Sequence, residues 1–239
     1  MYGPRIYAVD GTYDHCSRLS VELSFELPWG FVNVNLRSYY AEGSKTLAYE
    51  IAEQLGWETP DAVAIPIASG ALYHKVGQGF AELQTLGLVD GGTPALLGGQ
   101  AAGCEPVATA FREGGRVVPV RPDSLARSLA IGNPADGDFA VATARATGGA
   151  VYSVPEEEIG PNMADLAATT GVFGETATGV TLGALRAAVA DGRLGPEARV
   201  VLLVTGDGLK TPGAVAHTFA PIAIAADADE FLDDVLAAA

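Results

Sequence analysis

Lysine is almost missing from this sequence: among 239 residues only Lys45, Lys75 and Lys210 carry it. Chemistry that needs a side-chain amine must draw on those three positions. Cysteine is scarcer still. Cys16 and Cys104 lie far apart and outside any Cys-x-x-Cys pattern, which excludes a disulfide framework and a cysteine-built zinc site. The histidines, His15, His74 and His217, are scattered; lone histidines of this kind are structural or surface groups, so no metal site is expected. No run of 18 apolar residues occurs, so no membrane-spanning helix is expected. The opening MYGPRIYAVDG lacks a basic region followed by an apolar stretch and does not read as a signal peptide. A cytoplasmic, reducing location is the expectation.

Positive charge is short as well. Against 29 acidic residues stand 14 lysines and arginines, for a net charge of -15. Such a surface repels nucleic acid and anionic membranes, so neither is expected as a partner. Any anion site must be built locally, against the field of the whole protein. Apolar residues make up 49% of the chain, enough for a real core in one large domain or two small ones.

Apolar runs and helical patterns alternate along the chain. Strands are expected at Arg5 to Val9, Phe31 to Asn35, Ala62 to Ile67, Pro94 to Gly98, Ala150 to Val154, Arg199 to Val204 and Phe219 to Ala223, with a short edge strand at Arg116 to Val120. Helices are expected at Tyr13 to Leu27, Gly43 to Leu55, Leu72 to Leu86, Ala101 to Arg112, Ala140 to Thr147, Gly179 to Ala190 and Asp229 to Ala238. One more runs from Glu156 to Thr170, with a break expected near Gly160-Pro161. This alternation, with near-continuous apolar strands, implies an α/β fold: a parallel twisted sheet with helices on both faces. Ligands of such folds sit at the carboxyl ends of strands.

Small and polar residues gather at three such ends. Ala68-Ser69-Gly70-Ala71-Leu72 follows the third strand. Thr205-Gly206-Asp207-Gly208 follows the late apolar strand. Asn35-Leu36-Arg37 leads into Ser44-Lys45. Glycine allows close backbone approach, and free amides at a helix start attract anions. Arg37 and Lys45 could bind an anion there or form surface pairs. Several motifs fail on inspection. Gly43-Ser44-Lys45-Thr46 lacks the adjacent Gly-Lys of a P-loop. Gly98 to Gly103 does not match Gly-x-Gly-x-x-Gly and reads as a tight strand-to-helix turn. Ser69 has no Gly-x-Ser-x-Gly context. Glu175, in Phe173-Gly174-Glu175-Thr176-Ala177, precedes a helix that Thr178 is expected to cap.

Taken in order, VDGTYD (9 to 14), WGFVNVNLR (29 to 37), YYAEGSKT (39 to 46), IPIASGAL (65 to 72), SLAIGNPADG (128 to 137), TTGVFGETATGVT (169 to 181) and TGDGLKT (205 to 211) resemble threonine synthases, over about residues 2 to 217. The resemblance implies a fold type II enzyme of the tryptophan synthase β kind that uses pyridoxal 5'-phosphate (PLP). It implies conversion of O-phospho-L-homoserine and water to L-threonine and phosphate. On this footing Ala68, Ser69, Gly70, Ala71 and Leu72 would hold the cofactor phosphate, and Thr205 would meet the pyridine nitrogen. Asn35, Arg37, Ser44 and Lys45 would lie near the substrate phosphate. Gly174, Glu175 and Thr176 would line the cofactor's other side. The family is commonly dimeric, so a homodimer is expected at full length.

One departure stands out. The family's Schiff-base lysine lies in a Ser-Phe-Lys-Asp-Arg-like stretch that this sequence lacks. The expectation is an incomplete fold, with residues 1–30 a remnant of the smaller domain and 31–239 the large PLP-binding domain. It would be inactive alone and poorly soluble. The rivals are another fold type II lyase, akin to threonine dehydratase or cysteine synthase, and a non-catalytic fragment or interaction module.

Overall fold

A computed structural model describes residues 2–216, 221, 223–224 and 226–237. Its centre is a four-stranded sheet, with β1 (Ala62–Pro66), β2 (Ala95–Ala101), β3 (Ala150–Val154) and β4 (Val200–Leu202) ordered β3-β2-β1-β4. All pairings are parallel. Every residue of β1 is buried, as expected of a strand covered on both faces.

Successive β1 residues point to opposite layers. Val63 and Ile65 join Leu96, Val76, Phe80, Val107 and Val141 in one core. That core is supplied by α3 (Thr46–Gln54), α4 (Ala71–Thr85), α5 (Pro106–Glu113) and α6 (Gly137–Ala146). Ala62 and Ala64 face the other way, toward Leu97 and Ala188. Small residues suit that side because α8 (Thr176–Ala190) lies very close to the sheet. A Cβ on Gly99 would stand 2.9 Å from the Val180 carbonyl oxygen. The helix α7 (Glu156–Thr170) packs against α8. Among the described residues no helix is long and apolar enough to cross a membrane.

Most helices fall where periodicity puts them, and several expectations need correction. Arg5 to Val9, Phe31 to Asn35 and Arg116 to Val120 are not strands. None of them reaches a neighbouring strand, and a strand exists only when its backbone is paired. Phe31 to Asn35 instead folds as a turn whose Phe31 N–H donates to Asn35 Oδ1 at 3.0 Å. It leads into α2 (Arg37–Gly43). The helix α7 runs through Pro161 without a break. Pro161 faces solvent, and the carbonyl it leaves unbonded belongs to exposed Glu157. Thr178 is not a cap: α8 starts at Thr176, with Glu175 at the N-cap. The strand expected at Phe219 to Ala223 and His217 lie largely outside the described residues. The C-terminal helix α9 spans Ala228–Ala237.

The helix α1 (Tyr13–Glu26) buries none of its residues. Asp14 tethers it, accepting from the N–H groups of Gly132 at 2.9 Å and Asn133 at 3.2 Å. Phe25 is 83% exposed and Trp29 62%, in a region that also exposes Tyr2, Ile6, Tyr7 and Tyr39. Exposed large apolar side chains, where they gather into patches, promote association. Replacing Phe25 and Trp29 together by serine is expected to raise soluble yield several-fold while moving Tm by no more than about 2 °C. Expression trials with thermal melts check this, and a large fall in Tm would show that the two side chains are packed.

Candidate active site

The chain enters the site from β1. After Pro66 it turns at Ala68-Ser69 and reaches Gly70, whose φ of +91° is open to glycine and strained for other residues. Gly70 is the N-cap of α4 and makes no side-chain cap, so the first-turn amides are not masked by one. The first intrahelical bond runs from His74 N–H to the Gly70 carbonyl at 3.0 Å. The amides before it have no acceptor within the helix. The Ala71 N–H lies 3.4 Å from Ser69 Oγ.

A second helix start converges on the same place. The Glu175 N–H donates to the Gly206 carbonyl at 3.0 Å, and the Gly208 N–H to the Phe173 carbonyl at 2.9 Å. These bonds pin the loop before α8 to the loop after β4. The Thr176 N–H donates to Thr211 Oγ1 at 3.2 Å. Thr205 and Glu175 thereby share a wall.

Between the two helix starts lies a cavity of about 230 Å³. Ala68, Ser69, Gly70 and Leu72 line one side, Glu175, Ala177 and Thr205 another, and Ser128 and Leu129 a third. It sits beyond the carboxyl ends of β1 and β4, where the α/β rule places ligands. Its volume is below the range of about 300–1,000 Å³ usual for drug-sized ligands, so it suits a small one. Glu175 is only 6% exposed, and no described residue pairs with its carboxylate. Beneath it, Thr176 Oγ1 and Thr178 Oγ1 are buried without a hydrogen-bond partner in the structure.

The structure therefore gathers Ala68, Ser69, Gly70, Leu72, Thr205 and Glu175 around one cavity. Ala71 backs the loop and Thr176 lies beneath the wall. Arg37 lines a smaller neighbouring cavity of about 60 Å³ that shares Ser69 with the first. Its guanidinium pairs with Asp136. Asn35, Ser44 and Lys45 line neither cavity. Asn35 holds the turn before α2, and the Ser44 hydroxyl donates to the Tyr40 carbonyl at 3.3 Å. Lys45 is buried and bonded to Glu42 and Glu82. The bond to Glu42, then that to Glu82, raises the Lys45 pKa above the ordinary lysine value. Both carboxyls are lowered, chiefly by Lys45. Lys75 pairs with Glu42 at 3.0 Å, and Lys210 is exposed on a short turn after β4.

Ser128, Leu129 and Tyr73 are lining residues that sequence reasoning did not single out. Ser128 and Leu129 stand in the stretch SLAIGNPADG, which entered the sequence reading as part of the family resemblance, with no site role. The hydroxyl at its start was the available signal.

The residues fit the phosphate-bearing end of a PLP molecule. Gly70 gives a cradle that a Cβ would fill, since that atom would meet the Asp136 carbonyl oxygen at 2.6 Å. They do not fit its aldehyde end, because no lysine is among the lining residues.

The profile described as "Pyridoxal-phosphate dependent enzyme" matches residues 1–206. The chain belongs to this PLP-dependent enzyme family, on an α/β fold. Within it, the chain is 31% identical over 229 residues to threonine synthase of Methanocaldococcus jannaschii, covering 95% of this chain and 56% of that one. It is 35% identical over 212 residues to threonine synthase of Synechocystis sp., covering 89% and 53%. The chain spans about half the length of these curated relatives. Among solved structures, threonine synthase from Escherichia coli superposes with a TM-score of 0.67 at 17% identity, over 90% of this chain and 51% of that one. Maize serine racemase superposes with a TM-score of 0.65 at 18% identity, over 91% and 65%. These two likenesses establish the fold.

Proposed function

We propose that this chain carries the cofactor-phosphate side of a threonine synthase site, whose reaction turns O-phospho-L-homoserine and water into L-threonine and phosphate. The observation that carries the reading is the single cavity joining the Ser69–Leu72 helix start, Thr205 and Glu175. First-turn amides of α4 bind the phosphate, aided by the partial positive charge of the helix end. The Thr205 hydroxyl partners the pyridine nitrogen. Glu175 faces the substrate side with Thr176 beneath it, and Arg37 lies close to the substrate phosphate. PLP, when bound, supplies the electron sink for proton removal from the amino-acid substrate. Residues 31–239 form the cofactor-binding domain and 1–30 belong to the smaller one. The complete enzyme is a cytoplasmic homodimer, a location that suits two free cysteines.

The lining set without lysine favours a second reading for the chain by itself: ligand binding without turnover. One experiment separates the two. PLP is titrated in while its ³¹P resonance is followed, and the sample is then reduced with borohydride and its mass measured. Saturable phosphate binding with no covalent adduct is expected, and no phosphate release from O-phospho-L-homoserine. Adding a Ser-Phe-Lys-Asp-Arg-like segment upstream is expected to confer release. One-to-one PLP fixation on Lys45, Lys75 or Lys210 overturns the binding-only reading. Ammonia release from serine or threonine, with none of phosphate, overturns the threonine synthase assignment.

A further inference from the structure

We infer that Arg37 is a positioning residue for the phosphate loop and acts through Asp136. The inference rests on reading Ser69–Leu72 as that loop. Asp136 touches both partners, with different parts of itself. Its carboxylate pairs with the Arg37 guanidinium. Its N–H donates to the Ser69 carbonyl at 2.8 Å. Its carbonyl oxygen lies 2.6 Å from where a Cβ of Gly70 would stand. The loop is thus held from outside by the main chain of one residue.

Asp136 also stands at the N-cap of α6, yet its side chain makes no capping bond there. The carboxylate is given to Arg37 instead. The pair is mostly shielded, with side chains 34% and 14% exposed, so water weakens it less than an open surface pair. Arg37 begins α2, more than 30 residues before the loop in sequence. It ties that helix to the site and cancels a negative charge beside an anion-binding turn.

A direct phosphate ligand and a positioning residue respond oppositely when Asp136 loses its charge. If Arg37 bound phosphate itself, Asp136→Asn would free the guanidinium and leave affinity unchanged or tighter. If it acts through Asp136, Asp136→Asn loosens the loop as Arg37→Ala does.

The test is hydrogen exchange by mass spectrometry on the full chain without ligand, with inorganic phosphate titrated in parallel. The variants are Arg37→Ala, Arg37→Lys, Asp136→Asn and the Arg37→Ala/Asp136→Asn double. Each of Arg37→Ala and Asp136→Asn is expected to speed exchange at 69–73 by about tenfold. Peptides covering β2 should stay unchanged. Arg37→Lys should fall between wild type and alanine, and the double variant should be no faster than the faster single one. Phosphate affinity should fall in the same order. Unchanged loop exchange in Arg37→Ala overturns the inference. So does an additive double variant, tighter phosphate binding in Asp136→Asn, or a wild-type loop that already exchanges freely. If Arg37→Ala unfolds, the graded behaviour of Arg37→Lys and Asp136→Asn decides. Should wild type bind no phosphate while the exchange pattern holds, the proposed function fails and the positioning role stands.

Discussion

Gly70→Ala is expected to lower Tm by roughly 5–15 °C and weaken phosphate or PLP binding at least tenfold. Two costs add. An L-residue at φ +91° loses about 1–2 kcal/mol to left-handed backbone strain. The new Cβ also meets the Asp136 carbonyl oxygen at 2.6 Å, a backbone atom that cannot swing away. Relief requires moving either the loop or the start of α6, at a further cost of about 1–3 kcal/mol. For a chain of this size each kcal/mol moves Tm by about 2–4 °C. Gly87→Ala is the control, with φ +66° and nothing within 4 Å of its Cβ. It shares the dihedral strain, lacks the clash and lies away from the cavity. Thermal melts and PLP titrations of both variants check the argument. Equal losses of affinity in the two would show that loop geometry does not govern binding.

Gln100→Leu is expected to cost about 2–5 kcal/mol of stability. Gln100 is fully buried in β2. Its Oε1 accepts from the N–H groups of Val107 at 2.8 Å and Ala108 at 3.0 Å. Those are first-turn amides of α5, whose own N-cap residue, Glu105, makes no side-chain cap. A strand side chain thus caps a helix. Leucine preserves the volume and leaves two buried donors unmet, at about 1–3 kcal/mol each. Urea unfolding should show a lower midpoint with an unchanged slope. An unchanged midpoint would mean that water replaces the amide.

The alternating pattern made the central sheet legible. Ala62 to Ile67 and Leu72 to Leu86 read correctly because β1 is buried end to end and α4 buries Tyr73, Val76, Phe80 and Leu83 at helical spacing, and Gly70 marks the junction. The failures share a physical cause: pairing is nonlocal. Ile6 and Tyr7 have strand-like side chains, yet 85% and 78% of their surface is exposed, because no neighbour pairs with that segment. Gly98 and Gly99 looked like a turn. They lie inside β2 because Ile67 and α8 leave no room for a side chain there; a Cβ on Gly98 would sit 2.4 Å from Ile67 Cδ1. Of the candidate site, the loop residues, Thr205 and Glu175 were readable as strand and helix ends. Where Lys45 would point was not. Glu42 is a helix-turn neighbour, but Glu82 lies 37 residues away and is brought to Lys45 only by the packing of α3 on α4.

That ion-pair cluster has a practical side. Amine-reactive reagents attack only the neutral nitrogen, and the bonds from Glu42 and Glu82 raise the pKa of buried Lys45, while Lys75 is held in an ion pair with Glu42. Lys210 stands exposed with no ion pair among the described residues. For labelling chemistry Lys210 is the most accessible of the three lysines. A fluorophore attached at Lys210 would ride on the turn that follows Thr205, where movement of that wall of the cavity could be watched in solution.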